Sequence, residues 1–239
     1  MRQVLIKDLS EYIDEITTSD IFYQHVVFRG QPVQANLIPS IARTRPTVDS
    51  TAREKELLRQ LRLMGASLIK IPDAHALELL VLAQHSGLKT RLLDWTSNPL
   101  AALWFACTDR KKDDVFVYEL NAGDLLTEDP YSQDPFAIKQ TTVFQPRLNN
   151  PRIIAQHGWF TLHIYAEKAG RFVSLEKATK VKDKLTEYRI PANSKKSLLG
   201  ILDRHGINRK TLFPDLEGLC LHLNWKYPVR GLENDQPKK

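Results

Sequence analysis

The chain is poor in cysteine, with two thiols, Cys107 and Cys220, among 239 residues. They stand far apart in apolar, helix-like stretches, so neither a disulfide framework nor a zinc-ligand spacing can be drawn. Both are expected to be buried thiols in a reducing compartment. Long apolar runs are missing too: no stretch approaches the roughly 20 residues a membrane-spanning helix needs. The opening MRQVLIKDLSEYIDE mixes charge and apolar residues too finely for a signal peptide, so a cytoplasmic protein with no membrane partner is expected. The chain has no Walker loop, no GxGxxG, no HExxH and no GxSxG. Their absence argues against a metalloenzyme or a P-loop ATPase, and no metal ligand set is assigned.

Hydrophobic content of 42% and charged content of 26% are those of an ordinary globular protein. The length suits one large domain with a continuous core. A formal net charge of +6 and a pI near 9.2 favour acidic partners: nucleic acid, nucleotides or anionic surfaces. The basic residues are scattered along the chain, with Arg59, Arg62, Lys195, Lys196, Arg209 and Lys210 among those a nucleic-acid surface would use.

Apolar residues at helical spacing predict a short amphipathic helix over Ile6 to Ile16. HVVF at His25 to Phe28 reads as a strand ending at Arg29-Gly30, the glycine allowing a sharp exit, and proline-rich Gln31 to Pro46 reads as a loop. Helices are predicted from Thr51, from Ala74 to His85 with Gly87 as its C′ residue, and from Leu100 to Thr108. A break at Ile71-Pro72 separates the first two. Asn98 caps the third helix and Pro99 occupies its first position. Asp114 to Leu120, Trp159 to Ala166 and Leu185 to Ile190 are strand candidates. The long polar connection Asn121 to Asn150 is either partly structured or a lid. Helices capped at Asn193 or Ser194 and covering Pro214 to Leu223 complete the chain before a polar tail. Without regular βαβ spacing, the fold class is α+β: a mixed sheet with surrounding helices in a single domain.

Arg29, between a strand and a glycine, could present its planar fork to a phosphate or carboxylate, or pair with an acid such as Asp94. The segment QHSGLKTRLLDWTSNP is the richest in chemistry. His85 could serve as acid or base or cap a helix C-terminus. Asp94 could orient His85, bind a ribose hydroxyl, or pair with Arg91 or Arg29. Trp95 could stack on a ring or pack in the core. Thr90, Arg91 and Thr96 flank these groups, and the free amides of the helix starting at Pro99 would favour an anion. Arg152, Gln156 and His157 precede a strand. Asp215 and Glu217 open the last helix, where acids also complement the dipole.

Phe28-Arg29-Gly30-Gln31, then LIPSIAR over Leu37 to Arg43, then QHSGLKTRLLDWTSNPLAALWFA resemble the FRG-domain family, with RIIAQHGWF and LFPDLEG also similar to its pattern. The resemblance runs from about residue 24 to residue 223. It divides the chain into an N-terminal helical segment (1–23), an FRG-type domain (24–223) and a polar tail (224–239). It implies a bacterial or phage effector in a toxin or defence setting, with an antitoxin or partner protein. Arg29, the Thr90 to Thr96 block with its apolar helix, and the RIIAQHGWF strand also follow the order of elements in ADP-ribosyltransferases. On that analogy the chain binds a nucleotide-like anion, with NAD the candidate cofactor, and transfers ADP-ribose or hydrolyses NAD. His85, Asp94 and Glu217 are the catalytic candidates; Arg29, Gln31, Arg43, Thr90, Arg91, Trp95, Thr96 and Gln156 are the ligand-binding candidates. Gln156 stands nearest the place of the late catalytic glutamate, and a glutamine cannot act as a carboxylate. The alternatives are a non-catalytic module for nucleic acid or protein, and a nuclease using His85 and Asp94.

Overall fold

The computed structural model describes residues 1–18, 25–69, 71, 74–109 and 113–228. Pro72, expected to break the chain between two helices, and the tail from 229 onward lie outside the described residues. So do residues 19–23 of the N-terminal segment.

The chain opens with β1 (Arg2–Leu5), α1 (Leu9–Thr18), β2 (Val26–Gln31), α2 (Thr51–Met64), α3 (Ala76–His85), β3 (Leu92–Thr96) and α4 (Pro99–Cys107). It continues through β4 (Val115–Asn121), β5 (Thr142–Phe144), α5 (Pro151–Ala155), β6 (Gly158–Leu162), β7 (Tyr165–Ala166) and β8 (Arg171–Phe172). β9 (Leu185–Ile190), α6 (Lys195–Arg204), α7 (Arg209–Leu212) and α8 (Leu216–Lys226) end it. Seven strands form one mixed sheet in the order β1-β9-β4-β2-β3-β6-β5, parallel at β1/β9 and antiparallel elsewhere, while β7 and β8 make a separate ribbon. The α+β expectation holds.

Side chains alternate across a strand, so each sheet face carries its own core. On one face Phe28, Val117, Tyr188 and Ile190 pack with α4 and with Leu198 and Leu202 of α6. On the other, Val27, Leu93, Trp95, Tyr118 and Leu120 pack with Leu37 from the loop after β2. α4 is apolar on nearly every side because it is buried on nearly every side, as its sequence requires. Asn98 accepts hydrogen bonds from the amides of Leu100 and Ala101, with Pro99 at the first turn.

Several elements differ from the sequence expectation. Arg2–Leu5 is a strand, not helix, because its backbone is paired along β9. β3 was hidden in sequence: Asp94 interrupts an otherwise buried LLDWT, so no clean alternation shows. Trp159 to Ala166 is broken into β6 and β7, while Asn121 to Asn150 is partly structured, containing β5 and a bridge from Leu126 to Val143. Ser194 makes no capping bond; its hydroxyl donates to the Lys7 carbonyl instead. Gly30 lies inside β2, not at a strand exit, and its lack of a side chain answers to α4. A Cβ there would stand 2.0 Å from the Ala102 carbonyl oxygen and 2.6 Å from the Ala106 nitrogen. Of the two thiols, Cys107 is buried, with burial raising its pKa to about 12, but Cys220 is exposed. α8 keeps one face in solvent. No described helix is long and apolar enough to cross a membrane.

Candidate functional site

β2 and β3 are neighbours in the sheet, yet their register contains one pair, Phe28 with Thr96. β2 keeps its full register with β4 on its other side, and β3 keeps its full register with β6. The sheet therefore splays between the two strands beyond Phe28. Arg29 fills the gap: its Nη1 donates to the Asp94 backbone carbonyl at 2.7 Å and its Nε to Gln31 Oε1 at 3.2 Å. A guanidinium thus takes the place of strand pairing, and the side chain is 16% exposed.

The Asp94 carboxylate lies 3.8 Å from Arg29 Nη1, and its side chain is 55% exposed. Asp94 Oδ2 also accepts from Gln84 Nε2 at 2.9 Å, and Gln84 Oε1 accepts from the buried Thr90 hydroxyl at 2.7 Å. Thr90, Gln84, Asp94 and Arg29 are consequently one polar chain running from the end of α3 into the gap. Gln84, which sequence reasoning had given no role, is its central link. Asp94 orients Gln84, not its neighbour His85. His85 remains within reach of the Asp94 charge; burial and then Arg152 hold its pKa below the usual histidine value, with Asp94 opposing.

Arg43 comes from the loop that passes over this face of the sheet. The loop is tied down where the Ile41 amide donates to the Thr90 carbonyl at 3.2 Å. Burial lowers the Arg29 pKa, Asp94 opposes this, and the charge of Arg43 lowers it further. The Arg43 charge therefore acts on Arg29 from the covering loop, and among the described residues Asp94 supplies the acid in ion-pair range of Arg29. Gln31, also buried, holds the same loop through the Ala35 carbonyl at 3.0 Å.

Other expected site residues are committed to structure. Arg91 does not offer a fork to phosphate. Its side chain is 2% exposed, its Nε donates to Glu54 Oε2 at 2.7 Å, its backbone amide to Glu54 Oε1 at 2.6 Å, and its Nη2 to Thr51 at 2.9 Å. Phe136 closes over the guanidinium, 4.4 Å away. The amides opening α4 are no free anion site, since Asn98 occupies two of them, and α4 packs behind Gly30 on the face opposite Arg29. Trp95 is buried and donates to Thr161 Oγ1 at 3.1 Å, which takes it out of ring stacking. The Thr96 hydroxyl donates to the Gln156 carbonyl, and Gln156 Nε2 to the Leu212 carbonyl at 3.0 Å. Asp215 caps α8 and binds Arg152, and Glu217 is exposed in the first turn of α8. None of these contacts joins Glu217 to Arg29 or Asp94.

Sequence reasoning passed over His163, placed in a strand without a role. Its side chain is buried at 1% exposure, on the face that carries Arg29, with its backbone amide donating to the Arg91 carbonyl. Alternation along WFTLHIYA, with Thr161 and His163 on one face, was the available signal. Burial, then the charges of Arg29 and Arg91, push its pKa down to about 3. An unfolded histidine near 6.5 thus takes its proton before the folded one does. Its contribution to stability is intact above about pH 6.5 and is lost as pH falls toward 3, at up to about 1.4 kcal/mol per pH unit. Urea unfolding between pH 7.5 and 4.5 is expected to show a shallower acid loss in His163→Asn than in the unsubstituted protein. Equal slopes would mean that His163 is not the buried neutral group described.

The basic residues considered for a nucleic-acid surface are dispersed in their engagements. Arg59 pairs with Glu56, Arg62 donates to the Ala74 carbonyl, Lys195 is buried, and Arg209 lies over Phe213. No group of three or more metal-ligating side chains occurs among the described residues.

The fold and the gap thus belong to a single α+β domain in which an arginine within β2 fills the space beside β3. Residues 24–115 match the family described as the FRG domain, so the chain carries an FRG domain over that span. The match takes in β2, α2, α3, β3 and α4, and with them Arg29, Arg43, Glu54, Gln84 and Asp94; His163, Gln156 and Glu217 lie beyond it. No curated protein and no solved structure matches the chain.

Proposed function

We propose that this FRG domain binds a nucleotide-like anion in the gap between β2 and β3, with NAD the first ligand to test. The observation that carries the reading is Arg29 itself, its side chain 16% exposed in the gap between two splayed strands. Its ion-pair partner Asp94 is 3.8 Å away and mostly exposed, and the charge of Arg43 on the covering loop adds to its own. A largely buried cation whose ion-pair partner is 3.8 Å away and mostly exposed is incompletely compensated, and an anion bound beside it offsets the remaining cost. Arginine forks match phosphate geometry in two hydrogen bonds. Asp94, held by Gln84, would accept from a ribose hydroxyl, and His85, whose pKa burial lowers, would serve as a base. Transfer of ADP-ribose or hydrolysis of NAD is the chemistry these groups would serve, in the effector setting the family resemblance implies.

The test is calorimetric titration with NAD and with ADP-ribose, alongside measurement of nicotinamide release. Arg43 is exposed and makes no side-chain hydrogen bond among the described residues, so Arg43→Ala is expected to keep its melting temperature while binding weakens about tenfold, the loss of one charge-assisted contact. Arg29→Ala is expected to abolish binding. Absence of binding by the unsubstituted protein, or equal affinity in Arg43→Ala, overturns the reading.

A further inference from the structure

We infer that His163 is a ligand-contacting residue of the Arg29 site, donating a hydrogen bond from Nδ1 to an anionic or carbonyl oxygen of the bound molecule; the inference rests on the anion-site reading above. The observation behind it is a polar atom without a partner. His163 Nδ1 is fully buried and makes no hydrogen bond, a state that costs about 1–3 kcal/mol and that native proteins keep at few positions. The other ring nitrogen, Nε2, lies 2.9 Å from Thr161 Oγ1.

The hydrogen-bond chain supports one tautomer of the ring. Trp95 Nε1 can only donate, so Thr161 Oγ1 accepts from it at 3.1 Å. Thr161 Oγ1 could accept a second bond, but among the described residues its own proton has His163 Nε2 as the acceptor in range; with Nε2 accepting, the proton of the neutral ring is left on Nδ1. The unpartnered atom is thus an N–H donor. Burial and the two flanking guanidinium charges keep the ring neutral, so it serves as a fixed neutral donor.

The surroundings say what this donor would meet. His163 continues the β3/β6 ladder opposite Arg91, on the sheet face that carries Arg29, Trp95 and Thr161. The Arg91 charge is already neutralised by Glu54. The charge of Arg29, the larger of the two acting on His163, is weakly paired. An oxygen placed between Arg29 and Nδ1–H would satisfy the orphan donor and offset the under-neutralised cation together. A phosphate oxygen or a carboxamide carbonyl has that chemistry; a cation does not.

Two substitutions separate contact from support. Asparagine places its amide near the position of Nδ1, and glutamine near that of Nε2. His163→Asn keeps a donor toward the ligand and is expected to bind ADP-ribose within about threefold of the unsubstituted protein. His163→Gln keeps the partner of Thr161 but loses the ligand donor, and is expected to bind at least about tenfold more weakly. A role confined to holding Thr161 and Trp95 gives the reverse order. In the unsubstituted protein, ring 15N spectra should show Nδ1 protonated and shifting when ADP-ribose saturates the site. An unmoved Nδ1 resonance in protein saturated with ADP-ribose, or the reverse order of the two variants, overturns the assignment of His163 while leaving the anion site standing. Failure of the unsubstituted protein to bind ADP-ribose removes the anion site itself, and this inference with it.

Discussion

Replacing Glu54 with glutamine is expected to cost the fold about 3–5 kcal/mol, because it strands a buried cation. Glu54 is fully buried in α2, and its carboxylate receives both the side chain and the backbone amide of Arg91. Burial raises the Glu54 pKa, and Arg91 opposes the rise; the acid is retained as a charge because the guanidinium is beside it. With the charge gone, Arg91 has Thr51 and the face of Phe136 for company and, among the described residues, no other ion pair within 4 Å, the Asp49 charge acting on it from farther off. The pair also anchors the start of β3 to α2, two residues before the strand turns its carboxylate and carbonyl at Asp94 toward Arg29. Urea unfolding followed by circular dichroism measures the loss. Replacing both partners with apolar residues, Glu54→Leu with Arg91→Met, is expected to recover much of it, since no unpaired charge remains. Recovery stays incomplete because the Arg91 amide loses its acceptor. A loss under about 1 kcal/mol in Glu54→Gln would show that Arg91 finds water or another partner.

Gly30→Ala is expected to be as severe, at least about 3 kcal/mol, or to leave the protein insoluble. The added methyl would overlap the carbonyl of Ala102 and the amide nitrogen of Ala106. Both are backbone atoms of α4, so no rotamer change relieves the clash, and Ala102→Gly is not expected to rescue it. The helix would have to lift from β2, opening the core around Phe28 and Val117. Gly200 is the control: a Cβ there meets nothing within 4 Å, and Gly200→Ala in α6 is expected to stabilise by about 0.5–1 kcal/mol. Thermal melts of the two variants side by side decide the matter. A Gly30→Ala protein melting with the unsubstituted one would show that α4 does not press on β2 as described.

Local chemistry was legible wherever it was self-contained. Asn98-Pro99 before an apolar run specifies a capped, buried helix from its own residues, and α4 is that helix. Gly87 ends α3 at φ of +89°, a conformation glycine reaches without strain. Leu185 to Ile190 reads as a strand, and β9 spans those residues. β1 and β3 were not legible, because each is a strand by virtue of what it pairs with: four residues beside β9, and five whose central aspartate masks the pattern. Arg29 and Asp94 could be picked as chemistry-bearing residues, but nothing in the residue order set Arg91 apart from them.

By itself, then, the sequence determined an α+β core, the helix caps, and the pool of arginines, acids and histidines from which a site could be drawn. Tertiary structure decided which of them are available. Burial against Glu54 and Phe136 neutralised Arg91, self-capping closed the helix N-terminus, and the splay of β2 from β3 left Arg29 with a carbonyl and a mostly exposed carboxylate 3.8 Å away. It also brought His163, 134 positions along the chain from Arg29, onto the same sheet face with a donor unspent. Charge and hydrogen-bond capacity belong to residue types, but whether they are spent depends on neighbours that long-range strand pairing alone supplies.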